Sequence, residues 1–545
     1  MSLALAAPSA PPAPPAAPAV AVSLSGLGTW RPSGAGERLP GDDEVRWVGD
    51  LSREVRVVLD VKDDGQTRVT LQRAWSDLPT TAPVWTGKLT VKLADAVAHS
   101  APFRLHHHTR PSLVLRRSPA PRFDLAALTA AGLVPRYARV KIPEDTLSRI
   151  AKGRYPWETW STVPSGKPPR HPPGSYDAIS EEHGAIVHSW TGGAGPLLNE
   201  AALLMPGQVA YLLSGDPRAW RALAQTADSS GNYAIHYWSR ATAQPLRPAE
   251  TRGLFSEIAD ADRRYLQDPQ VTLATAGGAK LPIPEPAHEH SLVYLAALLT
   301  GERYYREELA AWNTYNLLTR PPGGDLRYRG ILWSGQVRTS AWSLRTLHEL
   351  IRVSSGEEKA RYEAQLRDNL RWMTENLATP GGPGYRPTGV LNVSEHRPTE
   401  MLRQAGGRHG FVSTFMHHFL AAVLGELVRG GYPEAKPMLL HTLKLYEGLW
   451  RHGQSRFDLA WGQHAEGADV KTMIARTFEK RATPPKAFVA PVDRGYAACL
   501  RGPLVAGTNA GLPWAREALT WLDGAYEAQW GAPPLDWALV PEPAR

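Results

Sequence analysis

Hydrophobic positions change their period once along this chain. Over residues 23–118 they alternate, as in Val45-Arg46-Trp47-Val48-Gly49, Arg56 to Lys62, Thr67 to Trp75 and Thr86 to Leu93. Period two with β-branched residues predicts strands. Asp63-Asp64-Gly65 between two such runs predicts a hairpin turn. The expected unit is an antiparallel β-sandwich of about six to eight strands. From 178 to 530 the period becomes helical. Helix pairs are expected at 200–213 with 217–228, 289–299 with 302–318, 339–353 with 357–377, and 411–429 with 433–451. Two more helices are expected near 469–478 and 513–529.

The remaining stretches are not periodic. Residues 1–22 are an Ala/Pro-rich run that reads as a disordered tail. Residues 119–177 read as a connector with a short helix ending at Gly132, a helix after Pro143, and a Pro/Gly-rich loop at 162–176. Residues 531–545 read as a C-terminal tail.

The helix pairs share a junction. Leu213-Ser214-Gly215-Asp216, Leu299-Thr300-Gly301-Glu302 and Val353-Ser354-Ser355-Gly356-Glu357 each place Gly where a helix ends, then an acid where the next begins. Gly supplies the left-handed cap, and the acid suits the positive end of the following helix. Val428 to Tyr432 is a looser copy. Repeated helical hairpins bury one face each and must stack on their neighbours. The fold class expected is therefore multidomain and mainly α, with an N-terminal antiparallel β-sandwich followed by an (α/α)n toroid of stacked hairpins.

These segments carry a resemblance. A β-rich module followed by helix pairs looks like the (α/α) toroid superfamily of polysaccharide lyases and six-hairpin glycosidases. Gly207 to Pro217, Glu285 to Gly301, and Gln336-Val337-Arg338 with Ala341 to Leu347 resemble uncharacterised bacterial and phage-associated proteins of that type. The nearest are exo-acting rhamnogalacturonan-lyase-like proteins. The resemblance implies fold and substrate class, and carries over no catalytic residue.

Composition narrows the partners. The chain has 545 residues and a formal net charge of +8, which favours an anionic partner such as an acidic glycan. No Lys/Arg run or nucleic-acid motif is present, so no nucleic-acid partner is expected. No apolar run is long enough to span a membrane. The lone Cys499 excludes an intrachain disulfide and reads as a buried small hydrophobe. A secreted, periplasmic or virion-associated location is favoured over the cytoplasm. Trp is abundant, at 19 residues against 9 Phe, which suits rings that stack on sugar faces or pack between helices.

The candidate chemistry lies in loops. His236 and Tyr237, in Asn232-Tyr233-Ala234-Ile235-His236-Tyr237-Trp238, are neutral proton-transfer groups of the kind β-elimination on a uronic acid needs. Arg338, at a helix start, could hold the carboxylate, with Arg240 as the alternative. His288, in Glu285-Pro286-Ala287-His288, could orient substrate or move a proton, or the stretch around Glu289 could merely cap a helix. Expected substrate contacts are Trp157, Trp160, Trp190, Tyr233, Glu285, Trp333, Gln336 and His409. Tyr233 and Tyr237 as core rings are the competing reading, and Trp312 and Trp342, inside helices, are expected in the core. His106-His107-His108 reads as a wet strand end. His417 and His418 are expected to diverge, one facing the core. A hydrolase would need two paired carboxylates, and the loop acids Glu285, Asp325, Glu400 and Asp458 cannot be paired from sequence. No cofactor is called for, although a divalent metal stays an open alternative.

The reading that follows is a carbohydrate-active protein, a polysaccharide lyase acting on an acidic glycan in a toroid cleft. The alternatives are a non-catalytic glycan-binding or virion-associated structural protein on the same scaffold, a glycoside hydrolase, and a helical scaffold for protein partners.

Overall fold

The computed structural model describes residues 16–39, 42–77, 85–105, 107–151, 202–251, 286–319, 324–334, 336–391, 411–453, 459, 464–478 and 493–543. Nine strands open the chain: β1 (Val20–Leu24), β2 (Gly28–Trp30), β3 (Glu37–Arg38), β4 (Glu44–Asp50), β5 (Arg56–Lys62), β6 (Thr67–Gln72), β7 (Trp85–Leu93), β8 (Ala96–Leu105) and β9 (Ser112–Arg116). They form two antiparallel sheets, ordered β2-β1-β7-β8 and β3-β4-β5-β6-β9. Val22, Leu24, Val57, Leu59, Val69, Leu71, Leu89 and Val91 fill the space between them. The Asp-Gly turn joins β5 to β6, with Gly65 at φ +86°. The sandwich begins inside the stretch assigned to the tail. Ala19-Val20-Ala21-Val22 alternates, and Val22 is fully buried in β1.

Helices follow. The connector holds α1 (Leu125–Ala130) and α2 (Glu144–Ala151). Five hairpins come next: α3 (Pro206–Ser214) with α4 (Pro217–Asp228), α5 (Tyr294–Thr300) with α6 (Arg303–Thr319), α7 (Val337–Val353) with α8 (Gly356–Met373), α9 (Thr414–Arg429) with α10 (Lys436–His452), and, after α11 (Val470–Phe478), α12 (Asp493–Asn509) with α13 (Pro513–Trp530). Two junction glycines behave as expected, Gly215 and Gly301 capping their helices at φ +65° and +68°, whereas α7 ends on Ser354 and Gly356 opens α8.

In the α7–α8 hairpin the first helix is the inner one. Every residue of α7 from Val337 to Ile351 is buried, whereas α8 buries one stripe. A helix buried on all sides must be surrounded by other elements. Helix α7 touches α5, α6, α8 and α9, and α9 touches α12. Helices α7 and α9 are parallel: Arg338 lies over Phe415, Trp342 packs on Phe419, and Gly430 approaches His348. Helices α9 and α12 are parallel too. A Cβ at Gly425 would lie 2.6 Å from Ala506, and one at Gly502 would lie 2.7 Å from Ala422. Helix α12 was not expected. Gly495, Gly502, Pro503 and Gly507 read as breakers, yet Gly502 is what lets this helix lie against α9.

The short turns after α7, α9 and α12 therefore share one end of the helical array, and the starts of those three helices share the other. The connector runs along the short-turn end. Arg352 donates to the Leu133 carbonyl, and Arg429 donates to those of Thr129 and Val134. The C-terminal stretch is also built in. Trp537 is fully buried in a turn that touches α3 and α12, and Leu539 pairs with Tyr137. One buried Trp anchors a stretch whose Pro-rich composition suggests a loose end.

The outer face of the five-stranded sheet is polar and buried. Arg46 binds Asp60 at 2.6 Å and also Glu307. Arg68 reaches Asp228 at 2.8 Å and Glu302 at 2.6 Å. Arg110 pairs with Glu308 at 2.9 Å and with Glu307. Arg117 adds a second cation to Asp228, and the Lys62 ammonium donates to the Thr300 carbonyl. The period-two pattern made Arg46, Asp60 and Arg68 look solvent-facing, but their solvent is the helical module. Removing one partner of a buried pair leaves a stranded charge. Arg110→Ala should lower stability by about 3–5 kcal/mol in urea unfolding. Trp fluorescence and circular dichroism should still report one coincident transition in the unmodified chain. Separate sandwich and helix transitions there would show that the seam does not couple the modules.

Candidate functional site

His236 and Tyr237 belong to this seam. His236 is fully buried, with Nε2 3.0 Å from the Glu308 carboxylate and Nδ1 3.0 Å from the carbonyls of Tyr233 and His108. Both ring nitrogens thus face acceptors only. Tyr237 stacks on His108 with centroids 4.2 Å apart. Tyr233 packs on Trp312 in the core, and burial pushes its hydroxyl up. His107 and His108 are buried, not wet. The backbones meet closely here: Arg110 donates to the Gly231 carbonyl, and a Cβ at Gly231 would lie 2.1 Å from the Arg110 oxygen. The cleft position expected for His236, Tyr237 and Tyr233 is therefore replaced by an intermodular one. Burial alone would raise the Glu308 carboxyl, but His236 and Arg110 hold it below its ordinary range. For Glu307, burial is likewise overcome by Arg46 and Arg110, which bring it to about 2.

Arg338 lies elsewhere. It sits in the first turn of α7, 8% exposed, with its guanidinium 5.8 Å from the Phe415 ring. Asn316 on α6 and Thr346 on α7 bind opposite oxygens of one carboxylate, Glu289. Glu308 and Arg338 lie eight residues from those points in opposite directions. At ~1.5 Å per residue, Arg338 and the His236 partner are about 24 Å apart along the helix axes. Arg240 is on the surface, paired with Asp77.

The head of α7 does gather other expected residues. Gln336 is its N-cap residue and accepts from Thr339. Trp333 is half-buried against Trp372, at 6.3 Å. The turn Pro286–His288 packs against α7. Trp157, Trp160, Trp190, Glu285, Glu400, His409 and Asp458 lie outside the described residues. His417 and His418 both face inward. His417 accepts from the Leu391 amide, and His418 meets the Tyr446 hydroxyl at 2.7 Å. Trp312 and Trp342 are core residues, as expected.

Beneath that head is a centre missed from sequence. Glu289 does not cap α5, which starts five residues later. It points between α6 and α7, where Asn316 donates to it at 2.7 Å. Arg345 spans the same region, donating to the carbonyls of Ala202 and Glu289, with Nε 3.6 Å from Glu349. One guanidinium thus stands near two buried carboxyls and pairs with that of Glu349. Burial pushes both Glu289 and Glu349 up to about 7, and Arg345 pulls each back only in part. Such a pair can hold or release a proton near neutral pH. The signal was present as Arg345 and Glu349 one turn apart. It was hidden because α7 carries polar residues on every face.

No family model, curated protein or solved structure matches the chain.

The two buried centres give opposite pH signs. Glu289 and Glu349 bind protons more tightly folded than unfolded, so their contribution falls as pH rises from about 4.5 to about 7. Glu307 does the reverse, and its contribution is lost as pH falls from about 4.5 through about 2. Glu289→Gln should shrink the stability difference between pH ~5 and pH ~7 by about 2 kcal/mol, at up to about 1.36 kcal/mol per unit. Urea midpoints at the two pH values measure it, and an unchanged difference would mean that Glu289 ionises normally.

Proposed function

We propose that the hairpins form an (α/α) toroid whose long-connection end takes an acidic glycan. The toroid reading is supported by the order of α5, α7, α9 and α12, each beside the next, and by the buried Trp537 turn between α3 and α12. The observation that carries the glycan reading is the head of α7. There Arg338 lies in the first turn, beside the N-cap residue Gln336, with the half-buried Trp333–Trp372 pair on the same approach. A cation at a positive helix end suits a uronate carboxylate, and a flat ring suits a sugar face. The net charge of +8 favours the same partner.

Binding is the primary reading, because His236 and Tyr237 are committed to the seam. A polysaccharide lyase is the second. It is favoured by the packing of the Pro286–His288 turn on the helix that bears Arg338. In that reading β-elimination falls to His288 as proton-transfer group, with Arg338 stabilising the enolate.

Calorimetry with a panel of uronate and neutral polymers tests both readings, together with ultraviolet absorbance for unsaturated product. Uronate polymers should bind, more weakly as salt rises. Arg338→Gln should lose about tenfold in affinity, about 1.4 kcal/mol, with circular dichroism checking that the chain stays folded. Equal binding of neutral polymers, or no effect of Arg338→Gln, would sink the acidic-glycan reading. Unsaturated product that disappears in His288→Ala would promote the lyase.

A further inference from the structure

The short-turn end carries a groove of about 820 Å³, remote from the head of α7. Its walls are residues 120–126, the end of α3 with the start of α4, and Arg139 with Val140. Phe123, Leu125 and Leu213 give it an apolar floor, and Val140 on one bank is 41% exposed. An arginine stands on each bank. Arg122 and Arg139 are exposed, and neither makes an ion pair with a described residue. The acid in the lining, Asp124, is already used: it accepts from the amides of Ala126 and Ala127 at 2.8 and 3.1 Å as the N-cap of α1. The ring hydroxyl of Tyr211 is also committed, to the Pro121 carbonyl at 2.6 Å.

The bank at Arg139 has a further property. Residues 136–138 run antiparallel to 538–540, with Ala138 donating to Ala538 and Val540 donating to Arg136. The chain then leaves that pairing. The backbone amides of Arg139 and Val140 donate to no described residue, and this stretch lies in no helix or strand before Glu144. Free main-chain groups beside an apolar floor are what an added strand pairs with. Two guanidinium groups with no ion pair among the described residues select for carboxylates along it.

We propose that this groove binds an extended acidic peptide from a partner protein, with apolar side chains set on Phe123, Leu125 and Leu213 and carboxylates on Arg122 and Arg139. The site is separate from the glycan reading and does not depend on it.

The test uses the full chain and a fluorescein-labelled peptide of alternating Glu and Val, followed by anisotropy. Saturable binding is expected, and the matching Lys/Val peptide should not bind. Arg122→Glu with Arg139→Glu should weaken binding at least about tenfold. Both side chains are exposed, so the thermal midpoint should hold. Val140→Pro, which removes one amide, should weaken it too, while Lys141→Ala should not. No saturable binding, or equal binding by the charge-reversed chain, overturns the proposal. So does binding of an oligouronate or of anionic vesicles that the same double change abolishes while the Glu/Val peptide stays unbound.

Discussion

A guanidinium removed from water must find its counter-charges in the protein, and Arg68 and Arg110 find theirs across a module boundary. Arg68 comes from β6 and Arg110 from the stretch before β9. Their partners Asp228, Glu302, Glu307 and Glu308 come from α4, the α5–α6 turn and α6. Neither side could bury its charges alone, since a single desolvated ion costs several kcal/mol. The sheet and the helices are thus mutually required. His236 completes the arrangement by giving Glu308 a second partner, and Gly231 allows the backbones to approach closely enough. Once this seam is in place, α6 is fixed, and with it the inner helix α7 that packs against it.

The seam and the centre around Arg345 differ in charge balance, and this explains their opposite proton affinities. In the seam, Arg46, Arg68, Arg110 and Arg117 face Asp60, Asp228, Glu302, Glu307 and Glu308 in close pairs, so Asp228, Glu307 and Glu308 all ionise more readily than usual. Glu44 makes no ion pair with a described cation; burial and the nearby Asp60 push its carboxyl well up. Around Arg345 there are two acids for one cation, and burial wins for both. The same residue type is driven both ways within one chain by the local count of partners, not by burial alone, which all of these carboxyls share.

Much of the architecture was legible in the sequence because it rests on local rules. The Asp-Gly turn and the glycines that end α3 and α5 are backbone demands that any context must meet. Helix α12 was not legible. Its glycines serve a close approach to α9, which is a tertiary fact. The candidate site divided the same way. Trp333, Gln336 and Arg338 do gather at one helix head, because their positions follow from where α7 begins. His236 and Tyr237 looked reactive because they are polar and aromatic between helices. That description fits a buried seam equally well, and only their partners decide between the two. Capping by Glu289 was only the competing reading, and its bonds go to α6 and α7 instead.

The parallel run of the inner helices gives the two ends of the array different duties. At the short-turn end, the last carbonyls of α7 and α9 lie near Arg352, Arg429 and the connector carbonyls those arginines bind, so the negative helix ends are matched by cations. The sandwich adds Lys62 on the Thr300 carbonyl at the end of α5. That end is strapped, and its open surface is the groove between Arg122 and Arg139. At the other end the helices present their positive termini, and α7 adds Arg338 there instead of the acid a stability argument would favour. None of α3, α7 and α9, which start at that end, has an acid in its first turn, whereas Asp216, Glu357 and Glu358 stand at the starts of α4 and α8 on the short-turn end. Where α7 and α9 begin, the described residues thus set Arg338 and no first-turn acid at positive helix ends, and the proposal of an acidic ligand rests on that contrast.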